Sequence, residues 1–237
     1  MRTVTPVLPT DVGVHDGLAY SLWLPESTGS IRGGLVILHG AGSCKESHHD
    51  FARGARAAGF GAIAFDQRGH GASDGPMDAR VLEDVTAIAS LLRSRIGGPA
   101  TPIALRGSSM GGYLAIVAAP VSGVRAVIAI CPGSAEGLRA GLRSREFDFE
   151  ADADQLDRLL SMHDLHDAVS ALAVPLLLLH AEGDERVPVE HSRELAERMT
   201  DPASRLITVP GGHHRSVQHD PELQAASLRW AARVMGG

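Results

Sequence analysis

A serine with a glycine two residues away on each side is the position best suited to nucleophilic chemistry. Residues 107–111 read GSSMG, so Gly107 and Gly111 flank Ser109, whereas Ser108 has no glycine at those distances. An apolar run precedes the segment and an apolar helical pattern follows it. This context is typical of a sharp reversal between a strand and a helix, where flanking side chains would collide. The hydroxyl then stands at a helix N-terminus, whose dipole favours developing negative charge. The pattern predicts Ser109 as a nucleophile.

Acidic and imidazole side chains that could activate this serine follow two later apolar runs. A serine hydroxyl is a poor nucleophile until a neighbouring base takes its proton, and imidazole titrates near neutral pH. His213 and His214 are the candidate bases, and Asp184 is the candidate acid, with Glu182 and Glu185 as alternatives. All of them follow predicted strands, whose carboxyl ends meet at one edge of a parallel sheet. We therefore expect a base and an acid to converge on the serine, as a proton relay requires.

The elements that must position these residues alternate between short apolar runs and helical patterns. Continuous apolar runs are typical of strands that a parallel sheet buries on both faces. Six such runs are present: Leu35–Leu38, Ala62–Phe65, Ile103–Leu105, Val124–Ile130, Val174–Leu179 and Leu206–Val209. The segment Leu18–Leu24 alternates instead, which predicts an antiparallel edge strand with one solvated face.

The helical patterns between these runs complete the predicted fold. Apolar residues three and four apart predict a helix that begins near Val81 and ends at Gly97. Further helices are expected at about 110–120, 189–200 and 220–235. Such an alternation implies right-handed crossovers and a mostly parallel sheet with helices on both faces. The 237 residues, of which 44% are hydrophobic, fit a single α/β domain over 1–237.

One segment, about 133–172, interrupts the alternation because it carries no run typical of a buried strand. It leaves from the carboxyl end of a predicted strand, and ligands bind at that end of α/β sheets. We therefore expect a small cap insertion over the mouth of the site. Its acidic stretch from Asp148 to Asp154 is interpreted as solvated surface, with recognition of a cationic substrate group as the alternative.

Four motifs, in this order, resemble those of the α/β-hydrolase superfamily, and the resemblance covers nearly the whole chain. They are LHGAG at 38–42, DQRGHGAS at 66–73, the serine segment at 107–111, and GDERVP at 183–188. The resemblance implies the α/β-hydrolase fold and a catalytic triad in the order serine, acid, histidine. It assigns these roles to Ser109, Asp184 and His214. His214 is favoured over His213 because family members commonly read P-G-x-x-H, counted here from Pro210.

The resemblance also implies an oxyanion hole, which is a pair of backbone N–H groups that stabilises the charged tetrahedral intermediate. These donors would be the N–H groups of Ala41 and Met110. By the same resemblance, His39 is expected to support its own loop. The turn at 66–73 is expected to serve packing and hydrogen bonding.

Composition argues against several other classes of protein. The 22 basic and 28 acidic residues give a net charge of −6 without a basic block, which makes nucleic acid and anionic membrane poor partners. The apolar runs fall short of the ~20 residues that span a membrane. The N-terminus lacks the apolar core of a signal peptide. Cys44 and Cys131 lie far apart, and we expect reduced thiols in a cytoplasmic protein.

No metal and no cofactor is expected from these motifs. The adjacent histidines at 48–49 would point to different sides, and ligand spacing for zinc is missing around them. The turn at 66–73 lacks the Gly-Lys-Ser/Thr ending of a phosphate-binding loop.

The predicted function is a serine hydrolase, carboxylesterase-like, that cleaves small to medium esters of a small-molecule acyl substrate through an acyl-serine intermediate. A thioesterase, an amidase or peptidase, and a carbon–carbon bond hydrolase would use the same triad. A serine at position 109 argues against dehalogenase and epoxide hydrolase relatives, which carry aspartate there. A ligand-binding member of the fold without catalysis is the alternative from another class. The sequence predicts neither the natural substrate nor the oligomeric state.

Overall fold

The computed structural model describes residues 7–26 and 31–236. Its centre is one sheet of eight strands: β1 (Asp11–His15), β2 (Leu18–Trp23), β3 (Gly34–Leu38), β4 (Gly61–Phe65), β5 (Ile103–Ser108), β6 (Ala126–Ile130), β7 (Leu176–Ala181) and β8 (Arg205–Val209). Their order across the sheet is β1-β2-β4-β3-β5-β6-β7-β8. The pairs β1–β2 and β2–β4 are antiparallel, and the other pairs are parallel. The predicted fold class, a mostly parallel sheet in an α/β arrangement, is confirmed.

Helices cover both faces of the sheet. They are α1 (His49–Ala57), α2 (Val81–Ile96), α3 (Met110–Ser122), α4 (Ala135–Ser144), α5 (Ala153–Met162), α6 (Leu165–Ser170), α7 (Val189–Ala196), α8 (Ser216–His219) and α9 (Pro221–Met235), with a 3₁₀ turn at Lys45–His48 before α1. Within the two described ranges, no helix combines the length and the apolar character needed to cross a bilayer.

The central strands are buried on both faces because alternate residues of a strand point to opposite sides. In β3, Val36 and Leu38 pack in the cluster that contains the apolar residues of α2 and α3. Leu35 and Ile37 pack in the opposite cluster, with residues of α1 and α9. All four side chains are at most 1% exposed. An apolar residue at every position therefore suits such a strand.

The prediction for Leu18–Leu24 is wrong in one respect. The segment does form the antiparallel strand β2, but every residue of the strand is buried, and β2 lies between β1 and β4. The edge strand is β1, whose Val12 and Val14 are 65% and 64% exposed. β1 pairs with the outer edge of β2, and the Tyr20 hydroxyl donates a hydrogen bond to Asp11 of β1 (3.1 Å). The polar residues of β2 therefore face protein, although their alternation suggested solvent.

Three helices, α4 to α6, lie between β6 and β7, and we call residues 133–172 the insert. Backbone hydrogen bonds connect part of the insert to the loop that follows β4. The N–H of Met77 donates to the carbonyl of Glu150 at 2.9 Å, and the N–H of Glu150 donates to the carbonyl of Gly69 at 3.1 Å. A side chain at Gly69 would lie 1.9 Å from the Glu150 carbonyl oxygen, so glycine is required there. The side chains of Asp148 and Asp154 are nevertheless exposed.

Candidate active site

Ser109 occupies the sharp turn between β5 and α3, with φ 54° and ψ −119°. This conformation is strained for a residue with a side chain, and such strain is typical of functional positions. The neighbouring glycines are required for steric reasons. A Cβ atom at Gly107 would lie 1.9 Å from the Gly111 carbonyl oxygen, and one at Gly111 would lie 2.4 Å from the Leu38 carbonyl oxygen. The two glycines therefore allow the close approach that the turn needs.

Backbone hydrogen bonds hold Ser109 in this conformation. Its N–H donates to the Ile130 carbonyl at 2.9 Å. Its carbonyl accepts from the N–H groups of Tyr113 at 3.0 Å and Gly133 at 3.1 Å. The serine is thus fixed by β6, by α3 and by the start of the insert.

Asp184 lies in the turn after β7, and its side chain is fully buried. Its Oδ1 accepts hydrogen bonds from the backbone N–H groups of Arg186 at 2.8 Å and Val187 at 2.9 Å. Its Oδ2 lies 2.7 Å from Nδ1 of His214. The N–H groups of the turn therefore hold the carboxylate through Oδ1, and Oδ2 is free to contact the imidazole of His214.

His180, at the end of β7, also contacts Asp184, and sequence reasoning missed it. Its Nε2 lies 2.9 Å from the Val187 carbonyl and 3.3 Å from Oδ2 of Asp184. Because both neighbours are acceptors, Nε2 must carry a hydrogen. Nδ1 then accepts from the Ser192 hydroxyl at 2.7 Å. The only signal in the sequence was a histidine at the end of an apolar strand, four residues before the acid.

The charge state of Asp184 follows from these contacts. Burial raises the pKa of its carboxyl, but the hydrogen bonds from His180, His214 and the N–H groups of Val187 and Arg186 outweigh burial. The pKa is therefore held well below its ordinary value. Asp184 is ionised at neutral pH and can stabilise an imidazolium ion beside it.

His214 lies in the turn after β8 and reaches the acid with Nδ1. Its backbone N–H donates to the Glu185 carboxylate at 3.1 Å, and its side chain is 10% exposed. Since Nδ1–H points at Asp184, Nε2 is left to accept a proton. His213 is exposed, and its Nδ1 accepts from the N–H of Arg215 at 3.3 Å. The structure therefore brings His214 to the acid and leaves His213 at the surface.

The two alternative acids occupy other places. The Glu182 carboxylate binds the guanidinium of Arg193 at 3.1 Å and the hydroxyl of Thr208 at 3.2 Å. The Glu185 carboxylate accepts a hydrogen bond from the backbone N–H of His214. Among the described residues, Asp184 is the acid hydrogen-bonded to the His214 imidazole.

Ser109 and His214 both line two adjoining cavities of about 410 Å³ and about 320 Å³. In the described chain, no hydrogen bond joins the serine hydroxyl to the imidazole. Such bonds are often long in a free enzyme and tighten when substrate binds. The structure therefore places Ser109 and His214 around one space without a direct hydrogen bond between them.

The predicted oxyanion donors belong to two segments next to the serine. Met110 begins α3, and Ala41 lines the smaller cavity beside Ser109. Within 7–26 and 31–236, neither N–H donates a hydrogen bond to another group. The loop of Ala41 passes close to the nucleophile, since a Cβ atom at Gly40 would lie 3.2 Å from Cβ of Ser109.

Two buried histidines hold that loop in place. Nε2 of His39 accepts from the N–H of Gln67 at 3.0 Å, so Nδ1–H donates to the Gly40 carbonyl at 2.8 Å. Nε2 of His70 accepts from the N–H of Gly42 at 3.2 Å. Burial, with a smaller effect of His70, lowers the pKa of His39 to about 4, so the ring is neutral. These rings position backbone rather than react.

Groups of side chains that could hold a metal ion occur at two places in the described chain. One consists of Cys131, Asp184 and His214 and therefore overlaps the site above. Burial raises the pKa of the Cys131 thiol, which keeps it protonated and makes it a poor ligand. The other group lies where α6 meets α7.

Comparisons with known proteins agree with this fold. A family model described as "Serine aminopeptidase, S33" matches residues 29–143, and one described as "TAP-like protein" matches residues 161–226. The monoacylglycerol lipase of Mycolicibacterium smegmatis is 29% identical over 252 residues, covering 86% of this chain and 88% of that protein. The uncharacterised protein YfhR of Escherichia coli O157:H7 is 29% identical over 213 residues, covering 84% of this chain and 70% of its own length.

Solved structures show the same fold. Est1E from Butyrivibrio proteoclasticus, with ferulic acid bound, superposes with a TM-score of 0.77 at 20% identity, covering 96% of this chain and all of that one (100%). The monoacylglycerol lipase of Paleococcus ferrophilus gives a TM-score of 0.69 at 22% identity, covering 91% of this chain and 98% of that one. The chain belongs to the α/β-hydrolase superfamily. Its relatives support an ester hydrolase in general terms.

Proposed function

We propose that the protein is a serine hydrolase that cleaves small to medium carboxylic esters through an acyl-serine intermediate. The observation that carries the proposal is the 2.7 Å contact between Asp184 and His214 at a cavity that Ser109 also lines. A buried, ionised carboxylate that holds an imidazole at a cavity shared with a half-buried serine is an arrangement suited to acyl transfer.

Acylation begins when Oγ of Ser109 attacks the ester carbonyl carbon and its proton passes to Nε2 of His214. The carbonyl oxygen becomes negative and accepts hydrogen bonds from the N–H groups of Ala41 and Met110. The carbon–oxygen bond to the leaving alcohol then breaks, and the alcohol takes the proton from His214. Asp184 stays ionised and stabilises the transient imidazolium.

Deacylation repeats these steps with water. His214 takes a proton from water as its oxygen attacks the acyl carbon. Collapse of the second tetrahedral intermediate breaks the bond to Ser109 Oγ, which recovers its proton from His214. The products are a carboxylic acid and the free enzyme, so neither a metal nor an organic cofactor takes part.

The two cavities beside Ser109 share Glu146, Phe147 and Arg186 in their walls, and we assign them to the two halves of the substrate. The larger cavity adds the apolar side chains of Leu138, Val187 and Pro188, which suit an acyl chain. The smaller one has polar side chains in its wall, including Asp148 and Arg215, and suits a polar alcohol. The insert closes one side of both cavities, so we propose that it serves as the cap. The name of the lipase relative supports ester substrates.

A fluorophosphonate probe tests the serine mechanism directly. We expect one equivalent of label on the native protein and none on Ser109→Ala. p-Nitrophenyl esters of increasing chain length, set beside thioester and amide analogues, then test the preferred bond and acyl length. A folded protein that resists the probe at neutral pH would contradict the proposal and favour a ligand-binding role. Faster turnover of the thioester or amide than of the ester would leave the proposed triad in place but would contradict the proposed ester substrates.

We also propose a cytoplasmic location. The two cysteines, Cys44 and Cys131, are unpaired in the described structure, as is usual in reducing compartments. Fractionation of source cells tests this, and recovery outside the cytoplasm would contradict it.

A further inference from the structure

Two histidines and a glutamate meet where α6 of the insert packs on α7. His191 and Glu194 are three residues apart on α7 and therefore share one face of that helix. His166, on α6, points its Nε2 at the Glu194 carboxylate from 3.4 Å. One ligand atom from each of the three side chains lies within 4.8 Å of the others. A single small ion would span these separations.

The ring of His166 is oriented by a fourth side chain. Oδ1 of Asp164 lies 3.1 Å from Nδ1 of His166 and also accepts the backbone N–H of His166 at 2.8 Å. Because the Asp164 carboxylate accepts a hydrogen bond, the ring hydrogen of His166 is on Nδ1. The lone pair of Nε2 then faces Glu194. A histidine that binds a metal ion through one ring nitrogen usually donates a hydrogen bond from the other nitrogen to a carboxylate. That hydrogen bond fixes the orientation of the ring and makes the imidazole more basic.

His191 has a ring nitrogen without a protein partner. Its Nε2 is buried and makes no hydrogen bond within the described chain, although buried polar atoms are nearly always paired. This buried nitrogen is therefore available as a ligand atom.

We propose that His166, His191 and Glu194 form a binding site for a divalent transition metal ion, with Zn²⁺ the ion that this ligand set matches best. Imidazole nitrogens and a carboxylate oxygen are the ligands zinc prefers, and water completes the coordination. The ion links the insert to α7. His191 also lines the larger cavity beside Ser109, so the site stands at the edge of the proposed acyl pocket. The proposal does not depend on the esterase activity.

Metal binding can be measured directly on the metal-free full chain. We expect calorimetric titration with Zn²⁺ to show one saturable equivalent, and Co²⁺ to give the visible absorption of a low-symmetry site. His166→Ala and His191→Ala should each abolish that binding. Asp164→Asn should weaken it about 10- to 100-fold, because it removes only the outer contact. His15→Ala, which removes a partly exposed histidine beside Asp16 at the β1–β2 turn, is the matched control and should leave the affinity unchanged.

Three outcomes would overturn the proposal. If the native protein shows no saturable binding of Zn²⁺, then His166, His191 and Glu194 form only a cluster of ion pairs. Full-strength binding by a folded His166→Ala/His191→Ala double variant would place the ion elsewhere. Binding lost in Cys131→Ser and retained in the double variant would assign the ion to the group of Cys131, Asp184 and His214. The Ser109→Ala variant should bind zinc like the native protein, which separates this test from that of the hydrolase.

Discussion

Nε2 of His180 lies 3.3 Å from Oδ2 of Asp184, the same oxygen that contacts His214. His180 is fully buried, and the Ser192 hydroxyl holds its other ring nitrogen at 2.7 Å. The ring therefore presents an N–H to the carboxylate in a fixed orientation. In the proposed mechanism His180 would be a positioning residue, which affects the reaction only through Asp184.

His180→Phe should lower kcat about 10- to 100-fold and leave KM nearly unchanged, because a hydrogen bond to a charged group contributes about 1.5–3 kcal/mol. The pKa of Asp184 should rise, since the His180 N–H is one of the hydrogen-bond donors that oppose the effect of burial. Steady-state kinetics and titration of the carboxylate by NMR measure the two effects.

Matched variants separate this role from a loss of packing. His180→Gln keeps an N–H and should recover part of kcat, whereas Ser192→Ala leaves the contact with Asp184 and should have a smaller effect. Equal kcat values for the native protein and His180→Phe would show that His214 and the turn suffice to orient the acid.

His214→Ala should reduce ester turnover by on the order of 10⁴–10⁶-fold, because the serine then lacks the base that takes its proton. His213→Ala should retain most of the activity, since that ring is exposed and does not reach Asp184. Initial rates with p-nitrophenyl butyrate compare the pair. The reverse ranking would identify His213 as the base and require a rearranged turn.

Sequence reasoning succeeded where a pattern is local. The β3 and β4 runs are buried on both faces, so every position is apolar and the strand is evident. Edge strand β1 was missed because it has only five residues and its two valines, Val12 and Val14, lie on the exposed face. Helix α1 was missed because only Phe51, Ala52 and Ala55 of its nine residues are buried.

The same distinction applies to the site. Ser109 is evident because the glycines that permit its turn are its sequence neighbours. The contact of His180 with Asp184 forms only when the turn after β7 folds the carboxylate back over the strand. His166 and His191 come together only through the packing of α6 on α7. Contacts of this kind depend on the folded turn or on tertiary packing, so the spacing of the residues in the sequence does not predict them.

Acid should destabilise the protein over a defined pH range because of His39. Burial, with a smaller effect of His70, lowers its pKa from 6.5 to about 4. Between these values the unfolded chain binds a proton that the folded chain excludes, so unfolding takes up a proton. The free energy of unfolding should therefore fall as pH is lowered from about 6.5 to about 4, by about 3 kcal/mol at most from this group.

Urea denaturation at a series of pH values checks this dependence. His39→Gln should be less stable at neutral pH but should lose less stability on acidification, because the titrating group is gone. His15→Gln, at an exposed turn, should follow the native slope. Equal slopes for the native protein and His39→Gln would show that other groups dominate acid sensitivity, with the buried His48 the next candidate.

Phe147 lines both cavities beside Ser109 and stacks on Phe149, with ring centroids 5.6 Å apart. Its ring also packs against Gly141 of α4, where an added Cβ atom would overlap it. Phe147→Ala should therefore enlarge the space beside the nucleophile and connect the cavities. The ratio of kcat/KM for p-nitrophenyl decanoate to that for the butyrate should rise, because a longer chain can then bury more apolar surface.

The insert offers a control for this change. Met162→Ala removes a side chain that is 72% exposed at the end of α5 and should leave the ratio unchanged. A rise in both variants would point to general loosening of the insert. A lower decanoate-to-butyrate ratio in Phe147→Ala would mean that the Phe147 ring itself contacts the acyl chain. Long substrates would then lose more apolar contact with the ring than they gain from the wider cavity.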